Sequence, residues 1–154
     1  MRTLTFGALV LAALLALPAA VLAHGGPPQT FTDTVKQTDV VPSVNPCTGD
    51  PGTLTVTYNG VFHVTQFADG HYHVTGTQTG TFDFDTADPT KPDFSGRVTL
   101  WFGENGNPNG FNGTFTFQIK ATGSDGSTIR FHQTSHITIV GTDVMVQFDK
   151  LSCG

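Results

Sequence analysis

From Thr53 to Asp85 apolar and polar side chains alternate almost without interruption. Leu54, Val56, Tyr58, Gly60, Phe62 and Val64 share one parity; Thr53, Thr55, Thr57, Asn59, His63 and Thr65 share the other. Successive side chains of a strand point to opposite faces, so this pattern predicts a strand with one apolar and one polar surface. A second strand repeats it, with Tyr72, Val74, Phe82 and Phe84 set against His71, His73, Thr75, Thr77, Thr79, Thr81 and Asp83. A three-residue turn, Ala68-Asp69-Gly70, with the glycine left-handed, pairs Val64 with Val74 and Thr65 with His73. A two-residue turn would set apolar against polar faces and is rejected.

The alternation continues through Phe94, Val98, Leu100 and Phe102, then a loop over Gly103 to Gly110. Phe111, Phe115, Phe117, Ile119 and Ala121 mark the next strand. Ser124-Asp125-Gly126 repeats the first turn and pairs Ala121 with Ile129 and Ile119 with Phe131. The strand carrying Ile129, Phe131, Ile137 and Ile139 then turns at Gly141-Thr142 into a last strand with Val144, Val146 and Phe148 inward. These six long strands form an antiparallel meander with one common apolar face. No amphipathic helix is available to cover that face, so the sheet must curl or fold onto itself. The expected fold is all-β, a meander closed into a barrel of roughly six to eight strands, with a β-sandwich as the alternative. Gly60, Gly76, Gly80 and Gly96 on the apolar face are expected bend points.

Ahead of this core the chain reads differently. Residues 1–23 have the charged start, apolar run and small terminal residue of a secretory signal, with cleavage after Ala23. Residues 24–52 read as a tail, one or two short strands over Phe31 to Val41, and a linker; residues 53–154 form the core. The apolar run is short for a membrane span, so no transmembrane segment is expected after cleavage. A net charge of -5 with seven scattered Lys and Arg argues against nucleic acid as a partner. The two cysteines, Cys47 and Cys153, flank the core strands. In an exported chain they read as one disulfide, and closing a loop of ~100 residues stabilises by roughly 4–5 kcal/mol in the loop-entropy model.

The stretches NPCTGDPGTLTVTYNGVFHVT, GTFTFQIKATGSDGSTIRFH and VQFDKLSCG resemble those of small secreted bacterial β-proteins of uncharacterised function. The resemblance implies export and an all-β domain, and it transfers no catalytic residue. The expected architecture is also similar to lipocalin-like and allene-oxide-cyclase-like barrels, which bind or isomerise apolar ligands. That likeness is one of fold, and fold alone does not set chemistry.

Several residues are candidates for function. Tyr58, Tyr72, Gln78, Gln133 and Ser135 fall on the apolar parity, where polar groups need hydrogen bonds. They can line a ligand cavity walled by Phe62, Phe82, Phe115, Phe117 and Phe131, or sit within a filled core. His63, His71 and His73 gather on the polar face, towards Glu104 and Asn105, and offer a zinc or copper site; the competing reading is solvated imidazoles. His24, at the new N-terminus after cleavage, offers a second copper reading. Asp83, Asp85, Asp88 and Asp93 offer oxygen ligands for calcium. Trp101, with Thr77 and Asn112 as expected neighbours, is either a surface anchor for a partner or is covered by the N-terminal segment. No catalytic residues are assigned and no cofactor is required. The sequence points to a secreted binding or cell-envelope interaction module for a small apolar ligand or an envelope macromolecule. An isomerase or cyclase barrel and a structural envelope protein are the alternatives.

Overall fold

Short turns set the register of the sheet. In the computed structural model, which describes residues 26–154, seven strands follow one another as a single antiparallel sheet. They are β1 (Gln29–Val44), β2 (Pro51–Gln66), β3 (Tyr72–Thr86), β4 (Phe94–Asn107), β5 (Gly110–Gly123), β6 (Thr128–Val140) and β7 (Asp143–Cys153). The expected signal segment and His24 lie outside the described residues. Gly70 and Gly126 both adopt φ of 84°, and Val64 faces Val74 while Ile119 faces Phe131, as the alternation requires. The Phe67 N–H donates to the His71 carbonyl at 2.9 Å and closes the first turn. Among the described residues no helix is long and apolar enough to cross a membrane.

The segment expected to hold one or two short strands forms one strand of sixteen residues, β1. It lies at the sheet edge, where the charges of Lys36 and Asp39 and the ring of Pro42 are tolerated because one side needs no ladder. The loop expected over Gly103 to Gly110 is mostly strand as well: β4 runs to Asn107, leaving only Pro108 and Asn109 to turn. Ladders from both neighbours hold that glycine- and asparagine-rich stretch extended, with Glu104 between Val74 and Gly113.

The sheet curls so that β1 and β5 line the same interior, yet it is not closed by a ladder. The expected closure joined antiparallel neighbours in a six-strand meander. With β1 counted there are seven strands, so the edges β1 and β7 run in the same direction. They are joined instead by the Cys47–Cys153 disulfide, whose Cα atoms are 5.7 Å apart. Asn45 builds the loop that presents Cys47: its side-chain oxygen accepts from the Cys47 and Thr48 N–H groups at 3.0 and 3.3 Å.

The last strand departs from expectation. Val144 pairs with Ile139 on the inner face, but a bulge at Met145 then shifts the parity. Phe148 therefore faces outward opposite His136, while Asp149, Leu151 and Cys153 turn inward. The cause is legible in the numbering: Val144 and Cys153 are an odd number of residues apart, and one extra residue lets both face the interior.

Candidate functional site

The interior is divided along its length. At the disulfide end Phe84, Phe94, Ala121 and Phe131 are buried beneath the Asn45 loop. At the other end Val64, Val74, Phe102 and Phe115 form a second packed layer, with the Phe62–Phe102 and Phe102–Phe115 rings 5.7 and 6.1 Å apart. Between them lies a partly open cavity of about 240 Å³. The interior is thus neither wholly filled nor wholly hollow. The volume is at the small end for ligand sites.

The cavity wall is apolar on β2 to β5, where Leu54, Val56, Phe82, Val98, Leu100, Phe117 and Ile119 contribute. Its polar groups come mainly from β1, whose Gln37, Asp39 and Ser43 share a parity with Val41. The Gln37 amide donates to Asp39 at 2.5 Å, and the Tyr58 phenol lies beside the same carboxylate. Burial, and then the Asp39 charge beside it, push the Tyr58 phenol above its ordinary range. Gln78 is only 8% exposed, faces the cavity, and its amide has no hydrogen-bond partner among the described residues. Its polar atoms are open to the cavity, since among the described residues no buried side-chain nitrogen or oxygen lacks a partner.

The five expected cavity residues do not stay together. Tyr58 and Gln78 line the cavity. Tyr72 lies at the far end, its ring over Gly106, with its phenol raised by burial and by the nearby Glu104 charge. Gln133 and Ser135 are occupied elsewhere: both donate to Asp149, at 2.8 and 2.9 Å. The bulge that turns Asp149 inward creates that need. Of the expected aromatic walls, Phe82 and Phe117 line the cavity, while Phe62, Phe115 and Phe131 pack in the layers around it.

The histidines are also separated. His63 pairs with Thr32 at 3.0 Å, His71 with Asp69 at 2.9 Å, and His73 with Asn105 at 2.7 Å. Glu104, expected near them, points the other way; it is 8% exposed on the inner face, and burial raises its pKa. Among the described residues no group of three or more His, Cys, Asp or Glu is placed to hold a metal ion. Asp88 and Asp93 instead cap their own loop, accepting from Thr90 and Thr86. Trp101 is 42% exposed and flanked by Thr77 and Thr116, not Asn112. The N-terminal strand pairs with β2 at the sheet edge and does not cover it.

Sequence reasoning missed Gln37, Asp39 and Ser43. The signal was the shared parity of Gln37, Asp39, Val41 and Ser43, obscured by the charged residues between Val35 and Val40. Comparison with family models, curated proteins and solved structures finds no match.

Proposed function

We propose that the protein is an exported binding module that holds a small apolar ligand inside its curled sheet. The observation carrying this reading is a cavity with hydrocarbon walls and a few converging polar groups, Asp39, Tyr58 and Gln78. The disulfide is consistent with an extracytoplasmic location. An isomerase or cyclase barrel would use Tyr58 beside Asp39 as its acid. Binding is the preferred reading because most of the cavity wall is hydrocarbon. The test uses the neutral fluorophore N-phenylnaphthylamine, whose emission rises in apolar surroundings. Wild-type protein is expected to enhance it saturably, and Val56→Trp, which fills the cavity, to abolish the enhancement. Enhancement unchanged by Val56→Trp would overturn the reading.

The exposed Trp101, in one cross-strand row with the exposed Val61, favours a second reading, a contact with an envelope macromolecule. Trp101→Ala would then weaken retention on cell envelopes without changing fluorophore binding.

A further inference from the structure

The strand register keeps every strand cation off the inner face, while carboxylates stand on both, with Asp83 and Asp85 on the outer. Asp33, Asp39, Glu104 and Asp149 fall on the inner parity, opposite Phe62, Val56, Val74 and Ser135. Every Lys, Arg and His carried by a described strand falls on the outer parity: Lys36, Arg97, Lys120, Arg130 and Lys150 with His63, His73, His132 and His136. The ligand cavity therefore contains a carboxylate and no cation among the described residues. A carboxylate offers about four acceptor positions. Gln37 occupies one on Asp39, with the Tyr58 phenol beside it, which leaves acceptor capacity towards the cavity. Gln78 brings an unpartnered amide to the same cavity, and its carbonyl oxygen accepts a hydrogen bond from any N–H donor.

From this charge complementarity we infer that the ligand is a protonated amine on a small apolar body, and that carboxylate amphiphiles are rejected. The inference rests on the proposed binding role of the cavity. The ammonium is seated at Asp39, with Gln37 fixing the carboxylate and Tyr58 beside it. The hydrocarbon lies against Val56, Leu100 and Ile119. A carboxylate head would face Asp39 with no cation in the cavity to balance the two negative charges. A neutral alcohol would bind through its chain and an ordinary hydrogen bond.

Calorimetric titration of the full chain with octylamine, octanol and octanoate at neutral pH tests this. These share one chain and differ only in head group. Octylamine is expected to bind about tenfold more tightly than octanol, as a hydrogen bond to a charged group exceeds a neutral one. Octanoate is expected to bind most weakly. Asp39→Asn should erase the advantage of the amine, so that octylamine binds no more tightly than octanol. A circular dichroism spectrum and a melting midpoint like those of wild type report that the variant is folded. Tyr58→Phe, which keeps the carboxylate, should retain most of the preference. If octanol binds but octylamine binds no better, or octanoate binds equally well, the charge selection is overturned and the apolar site stands. If Val56→Trp leaves octylamine binding intact, the amine is held elsewhere by the net negative charge and the inference fails. If none of the three binds, the binding role itself fails.

Discussion

The two faces of this sheet share one backbone and carry opposite chemistry. The outer face sets Arg97, Lys120 and Arg130 side by side across β4, β5 and β6. The inner face holds the carboxyls of Asp33, Asp39, Glu104 and Asp149 and matches each differently. Asp33 accepts from the Thr34 N–H, Asp149 receives Gln133 and Ser135, Asp39 receives Gln37 with Tyr58 beside it, and Glu104 receives no hydrogen bond among the described residues. The difference shows what solvent does. Like charges in register outside are screened and cost little, whereas each inner carboxyl needs a donor or a shifted pKa. Period-two alternation assigns each residue to one of these regimes, so a one-residue shift in parity moves a charge between them.

The largest effect expected on this contrast comes from removing the bond that keeps the inner face folded in. Cys47→Ser should lower unfolding free energy by about 4–5 kcal/mol, from loop entropy over a separation of 106 residues, measured by denaturant titration. Next is Gly96→Ala. A Cβ there would overlap the Lys120 carbonyl oxygen on the neighbouring strand. Backbone cannot yield as a side chain does, so a loss of about 1–3 kcal/mol is expected by the same measurement.

Glu104→Gln tests the inner face by pH. Burial raises the carboxyl's pKa in the folded state. Folding is therefore favoured below the unfolded value, and that advantage is lost as pH rises through the raised one. The glutamine variant should melt higher than wild type at neutral pH, and the gap should close as the pH falls below the ordinary carboxylate range. A gap independent of pH would mean that Glu104 acts through shape instead. The smallest effect belongs to the outer face. Lys120→Glu replaces a like-charge contact on either side with an attractive one, and should add at most about 1 kcal/mol, fading as salt is raised.

Much of this architecture was legible in the sequence, because alternation and turn chemistry act locally. The register of β2 with β3 and of β5 with β6 followed from Gly70, Gly126 and the apolar parity. Three features were hidden for physical reasons. Strand β1 has a neighbour on one side only, so its polarity pattern is loose. The glycine-rich end of β4 has weak strand propensity of its own and is held by its neighbours, which is why Glu104 was expected among the histidines. The bulge at Met145 answers a constraint set by the distant Cys47. Tyr58 and Gln78 were identified as interior polar residues, but the carboxylate beside Tyr58 lay in the strand that was hardest to read.

The disulfide fastens the curled sheet at one end only. Its two edges share a direction, so the far ends of β1 and β7 are free of the staple. Local opening should therefore run from the far end towards the cysteines, as when a scroll is loosened. Amide hydrogen exchange, read strand by strand, should be fastest in the first half of β1 and in β7 before the bulge, and slowest in central β3 and β4. The position of one covalent bond thus sets which end breathes on the timescale of minutes.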